Sequence, residues 1–165
     1  MLFLDRGNVI IVSGDIMELD NFHLEKYSPY NKEHKYIFSL INGTNYGKYL
    51  GDLELHIKRV YERKEEDYFH NDVYVAFYND NPVGFISLSH REFGYEVVSG
   101  IIPSMRGEHL GPLLLQEFSE KVFDTYDDVD ELVLKINPSN KKAISSARLV
   151  GYEKVGEETY IQRRR

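Results

Sequence analysis

The stretch that decides the fold runs from Tyr95 to Asp124, YEVVSGIIPSMRGEHLGPLLLQEFSEKVFD. Its opening, Tyr95 to Ile102, is rich in β-branched residues and is stopped by Pro103, so it predicts a strand. Its close, residues 109–124, predicts the strongest helix of the chain, with Leu110, Leu113, Leu114, Phe118 and Val122 on one apolar stripe. Between the two lies a turn bearing Gly107 and Gly111 that leads into the helix N-terminus. First-turn N–H groups of a helix have no internal partner and stand at the positive end of its dipole. A glycine-bearing turn lets such donors approach phosphate oxygens, and Arg106 offers charge-assisted bonds to the same group. The letters are neither a Gly-Lys-Ser/Thr phosphate loop nor GxGxxG. Two glycines alone also fit a turn that needs them only for its backbone.

Working outward, Val73 to Tyr78 and Pro82 to Ser89 predict two strands joined by the turn residues Asn79, Asp80 and Asn81. With the strand at 95–102 they make an antiparallel meander, His90 to Phe93 being its second turn. Downstream, Glu131 to Ile136 reads as a buried strand and 140–149 as a helix opened by Pro138-Ser139-Asn140 and stopped by Gly151. Two short strands, 152–155 and 158–162, close the chain, with Arg163 to Arg165 as a solvated tail. Upstream, residues 8–13 predict a strand, and 32–42 and 48–64 predict helices; in the second, Tyr49, Leu53, His56, Ile57 and Val60 recur at helical spacing. The unit 95–102, 109–124, 131–136 has the length of a crossover between parallel strands. The fold class is therefore α/β with a mixed β-sheet.

At 165 residues, 42% hydrophobic and 28% charged, residues 1–165 are expected to form one domain with a real core. The net charge of -7 disfavours nucleic acid or an anionic membrane surface as partner. There is no cysteine, which excludes a thiolate nucleophile and cysteine-ligated zinc and fits a reducing cytoplasm. No apolar run reaches the roughly 20 residues of a membrane helix. His90 and His109 have no partner spacing for a metal, so no metal is expected and both histidines are read as solvent-facing. Leu2, Phe3 and Leu4 are apolar residues for a sheet or for a homodimer interface.

At this point the sequence resembles a known family. Ile102 to Gly111, IPSMRGEHLG, is similar to the acyl-CoA loop of the GNAT superfamily of N-acetyltransferases, whose pattern is Gln/Arg-x-x-Gly-x-Gly/Ala. Arg106 and Gly111 match its ends, Gly107 matches the common Arg-Gly start, and His109 stands where the middle glycine usually sits. Asn137-Pro138-Ser139-Asn140-Lys141-Lys142-Ala143-Ile144, then Gly151-Tyr152, is similar to the family's Asn-x-x-Asn-x-x-Ala-Ile … Gly-Phe. The joint match covers residues 73–155.

The resemblance implies a GNAT-like fold, with a strand-helix-strand unit for CoA and flanking helices. It implies acetyl-CoA as cosubstrate, with pyrophosphate on the amides of Arg106, Gly107, Glu108, His109, Leu110 and Gly111, while Pro112 has no N–H to give. The pantetheine arm would pair with Val98 to Ile102, including Ile101, where the strands part. Asn137, Asn140 and Lys142 would border the cofactor. The implied reaction is direct attack of a small-molecule or peptide amine on the thioester. Glu96, on the strand beside the thioester, is the expected base. The family's tyrosine acid is absent, because Ala147 occupies its position, leaving Ser145 or Ser146 to relay a proton, with Tyr152 more suited to the core. Tyr46 and Tyr49, with Asp52 or Glu54, would suit a cationic acceptor. Three other readings stand beside this one: a non-catalytic acyl-CoA-binding or sensor protein of the same fold, an unrelated α/β protein with a structural glycine turn, and, least favoured, a nucleic-acid binder.

Overall fold

Alternating β-branched and aromatic residues build the centre of the molecule. Strands β5 (Asp72–Tyr78), β6 (Asn81–Arg91) and β7 (Gly94–Ile101) form the expected antiparallel meander. The first hairpin turns on Asn79 and Asp80, whose φ angles of 51° and 63° are the left-handed pair that a two-residue turn of the right twist needs. The structure, a computed structural model, describes residues 2–4, 9–12, 15–18, 21–41, 53–63, 69–105 and 109–165, and only the backbone of 2–4, 9–12, 15–18, 38–41 and 53–54.

The remaining described elements are β1 (Leu2–Leu4), β2 (Val9–Val12), β3 (Asp15–Glu18), β4 (Phe22–Lys26), α1 (Lys32–Ile41), α2 (Leu53–Arg63), α3 (Leu110–Thr125), β8 (Glu131–Lys135), α4 (Lys141–Leu149), β9 (Glu153–Lys154) and β10 (Thr159–Arg163). A 3-10 turn, Pro103–Met105, follows β7. Seven strands pair in the order β4-β5-β6-β7-β8-β10-β9, and β1-β2-β3 make a separate three-stranded sheet. Three strands are added to the sequence reading, β1, β3 and β4. Leu2 to Leu4 thus belong to a sheet, antiparallel to β2. The start of the helix expected at 48–64, with Tyr49, lies outside the described residues, as do Tyr46 and Asp52; of Glu54 only the backbone is described.

The seven-stranded sheet is covered on both faces. On one face, α1 and α2 supply Ile37, Ile57 and Val60 to a cluster with Val73, Val75, Phe77 and Phe85. On the other, Leu110, Leu113, Leu114, Phe118 and Val122 of α3 pack with Ile86, Leu88, Val97 and Leu132, as the apolar stripe requires. Consequently β6 is buried from Val83 to Ser89 without a break, the signature of a central strand covered twice.

Two details correct the sequence reading. The end of the chain is not merely a solvated tail: Arg164 donates to the carbonyls of Phe123, Tyr126 and Val129 at 2.7, 2.5 and 2.7 Å, a cation where the α3 C-terminus is negative. His90 is not solvent-facing either. It is half-buried, stacked on Phe69 at 3.6 Å between ring centres.

Strand β6 carries a bulge, since Ala76 pairs with Gly84 and Phe77 with Pro82, leaving Val83 as the extra residue. Beside it, Gly84 lies so close to β7 that a Cβ there would stand 2.4 Å from the Gly100 carbonyl oxygen and 2.9 Å from Ile101 Cδ1. Gly84→Ala must push β7 away from β6. It should cost about 1–3 kcal/mol, the usual range for an overpacked core, read as a lower denaturant midpoint at unchanged m-value.

Candidate functional site: the cleft between the parted strands

Strands β7 and β8 run parallel, but they pair only through Tyr95 with Leu132 and Glu96 with Val133. Beyond Glu96 they part, although β7 continues to Ile101 and β8 to Lys135. Among the described residues, β8 therefore does not pair with Val97 to Gly100 of β7. A cleft of about 130 Å³ opens there, lined by Val97 to Ile101 of β7, Leu134 to Asn137 after β8, Gly111 and Leu115 of α3, and Asn140, Lys142, Ala143 and Ser146 around α4. A strand edge that its neighbour has left suits an extended ligand that completes the ladder. Leu134 and Ile136 supply an apolar opposite wall.

The mouth of the cleft is the N-terminus of α3. Its N-cap, His109, is exposed, makes no side-chain cap bond, and sits at φ 60° and ψ 24°. That is left-handed backbone, the conformation a glycine adopts without strain. The histidine thus stands where the chain turns as if it held glycine, and the N–H groups of the first turn lie at the positive end of the helix dipole. Arg106, Gly107 and Glu108 lie outside the described residues. Leu110 and Ile102 are buried core side chains, so only their main chains are open to a ligand.

On the far wall, Asn140 is the N-cap of α4, its Oδ1 accepting from Ala143 N at 3.3 Å. Asn137 folds the preceding turn by accepting from Ser139 N at 2.9 Å and Ser139 Oγ at 2.8 Å. Both asparagines shape the cleft before any ligand arrives. Lys142 lines it as an exposed cation. The two serines of α4 separate: Ser146 lines the cleft, whereas Ser145, one residue earlier, points from the exposed side of the helix and is not among the lining residues. Ala147 is fully buried in the core and Tyr152 is 3% exposed there, its hydroxyl pushed up by burial. Neither offers an acid to the cleft.

Glu96 is not among the residues that line the cleft; it stands next to Val97, on the last paired position before the strands part. Its side chain keeps 13% exposure and faces Arg91 Nε at 3.7 Å. Burial pushes its carboxyl up from the ordinary range, with Arg91 and Lys135 pulling the other way. On this same face, covered by α1 and α2, lie residues that the sequence reading left out. His56 of α2 reaches Ser87 Oγ at 3.1 Å, and Ser87 Oγ reaches the Val98 carbonyl at 3.5 Å. Ser87 and Ser89 are both fully buried. The sequence placed His56 on the apolar stripe of its helix, which is correct. Its polar partner, Ser87, lies in a strand that is buried on both faces. Among the described residues no group of three or more His, Asp or Glu could hold a metal.

Burial, aided by Arg91, Arg63 and Arg59, lowers the His56 pKa from 6.5 to about 4, so the imidazole is neutral in the folded protein at pH 7. The unfolded chain therefore binds a proton in the window between those two values that the native state does not. The stability tied to His56 is complete above pH 6.5 and falls as pH drops toward 4. His56→Gln should remove that part of the slope, read as the difference between wild-type and variant denaturant midpoints across this window.

The chain's relatives bear on this geometry. The structure is similar to aminoglycoside acetyltransferase AAC(6')-Ib in complex with coenzyme A and kanamycin, at TM-score 0.68 and 18% identity over 87% of this chain and 95% of that one. It is similar to spermidine N-acetyltransferase from Vibrio cholerae in complex with CoA and spermine, at 0.65 and 16% over 87% and 94%. It is similar also to the Campylobacter jejuni N-acetyltransferase PseH, at 0.60 and 19% over 86% and 95%. At such identities the likeness is one of fold. No curated protein matches the chain in sequence. The model of the Acetyltransferase (GNAT) family matches residues 34–152, and that match, over more than half of the length, overturns the reading of an unrelated α/β protein: the chain belongs to the GNAT acetyltransferase family.

Proposed function

We propose that this protein is an N-acetyltransferase that moves the acetyl group of acetyl-CoA to a primary amine of a small molecule or peptide, using residues 1–165 as one catalytic domain in the cytoplasm. The observation that carries the reading is the parting of β7 and β8 just after Glu96, in a cleft that the first turns of α3 line. The pantetheine arm completes the ladder along Val98 to Ile102, Ile101 included, between β7 and the wall of Leu134 and Ile136. The pyrophosphate rests on the turn Arg106, Gly107, Glu108, His109, Leu110 and Gly111, with Arg106 as cation. Asn137, Asn140 and Lys142 border the cofactor at the α4 side.

An alkyl ammonium has a pKa near about 10 and must lose a proton to become a nucleophile. Glu96 takes that proton. The freed amine nitrogen then attacks the thioester carbon, the C–S bond breaks, and CoA departs as a thiolate whose conjugate thiol has a pKa of about 8.5 by analogy with cysteine. Such a leaving group needs little acid, which suits a cleft whose family tyrosine is replaced by buried Ala147. Ser146 is the hydroxyl on the cleft wall that can return a proton; Ser145, exposed, would reach the site only through it. A carboxylate with its pKa held up by burial is a better base than an exposed one, because its protonated form is less acidic. The net charge of -7 and the kanamycin and spermine carried by similar folds make polycationic amines the first acceptors to try.

Calorimetric titration should find acetyl-CoA and CoA binding saturably, and Arg106→Glu should weaken both. Glu96→Gln should bind acetyl-CoA as wild type does and lose about 10²–10⁴-fold in turnover, the range of a general base. It should also be as stable as wild type or more so at pH 7, because an ionised, largely buried carboxylate is removed. Absence of CoA binding by the wild type overturns the proposal. Binding without turnover on any amine assigns the alternative, a non-catalytic acyl-CoA-binding or sensor protein, which the buried Ala147 favours.

A further inference from the structure

Ser89 is fully buried, and its hydroxyl has no hydrogen-bond partner among the described residues. An orphaned buried hydroxyl is a liability to folding, and native structures hold few of them without a reason. The residue directly across the ladder from Ser89 is Glu96. Cross-strand neighbours project on the same face with their Cβ atoms about 5 Å apart, so a carboxylate with lone pairs to spare lies within one side-chain rotation of an unused donor. The carboxylate instead faces Arg91, two residues along β6 from Ser89, at 3.7 Å, beyond hydrogen-bond reach. Arg91 is 44% exposed against 13% for Glu96, so the loose partner is the outer one. The next serine along the same face, Ser87, is in contrast engaged by His56 and the Val98 carbonyl.

We infer that Glu96 has two seats, one on Arg91 when no acceptor is bound and one on the Ser89 hydroxyl when the acceptor's ammonium takes over the cation's place, so that Ser89 is a positioning residue for the base. The inference rests on Glu96 being the base. Arg91 and an ammonium are both cations and compete for one carboxylate. Arg91 cannot give up its proton, whereas the ammonium can. Ser89 offers a neutral donor that holds the carboxylate beside the cleft while the proton moves from amine nitrogen to carboxylate oxygen. The hydroxyl keeps its own proton throughout.

A double-mutant cycle tests this without any acceptor. In the wild type, Ser89→Ala should leave the melting temperature unchanged or raise it, because the hydroxyl is unpaired. Arg91→Gln releases the carboxylate onto Ser89, and in that background Ser89→Ala should lower the melting temperature by a few degrees, about what one hydrogen bond to a charged group yields in a domain of this size. Additive effects of the two substitutions overturn the two seats. With spermine and kanamycin as acceptors, Ser89→Ala should lower kcat roughly tenfold at unchanged acetyl-CoA affinity, and Arg91→Gln should lower the acceptor KM. A Ser89→Ala enzyme with wild-type kcat overturns the positioning role. If the cycle shows coupling and Glu96→Gln keeps full turnover, the base assignment fails and the positioning role with it, while the two seats stand.

Discussion

The molecule depends on where a parallel strand pair stops pairing. Glu96 with Val133 is the last rung between β7 and β8; after it the two strands diverge while each continues. Parallel pairing is normally kept inside a sheet because each abandoned rung leaves peptide groups without partners. Here the loss falls in the middle of a seven-stranded sheet and is tolerated because the gap is roofed by α3 and closed at its side by α4. The sheet beside the gap is correspondingly tight: Gly84 lets β6 approach the Gly100 carbonyl at a distance no side chain would allow.

The polar groups around this gap divide by face. On the face covered by α1 and α2 lie His56, Ser87, Ser89 and Glu96, all taken out of water to some degree. Burying such groups works against folding unless they are paired. His56 and Ser87 satisfy each other, and His56 meets the remaining cost by staying neutral. Glu96 and Ser89 do not satisfy each other in this arrangement. On the cleft side, Asn137 and Asn140 are already engaged in a turn and a helix cap, so that wall is organised in advance.

The departures from the family pattern have local physical consequences. His109 stands in left-handed backbone at the head of α3, so replacing the usual glycine leaves the turn in place with a strained residue in it. Ala147, where the family often has tyrosine, is wholly buried against the core, and the helix that carries it exposes Ser145 and turns Ser146 to the cleft. A helix period of 3.6 residues makes that difference: neighbours in sequence stand about 100° apart around the axis, which turns Ser145 to solvent while Ser146 meets the cleft.

Much of this was legible in the residues themselves. β-branched runs, the Asn79-Asp80 turn and the Leu110 to Val122 stripe determined the meander and the main helix, because these depend on local backbone preference and on a period that repeats within one element. The cap at Asn140 and the turn at Asn137 were likewise written locally. Only the tertiary structure decided which face each residue serves. The short strands β1, β3 and β4 have too few residues to carry a period, and Arg164 caps a helix that ended some forty residues earlier. The strand at Pro82 to Ser89 was legible, but not that α2 covers Ser87 and Ser89 or that His56 meets one of the two. The place of Glu96 is fixed by the point at which β7 and β8 part. That is a relation between two strands joined through a whole helix, and no single segment encodes it.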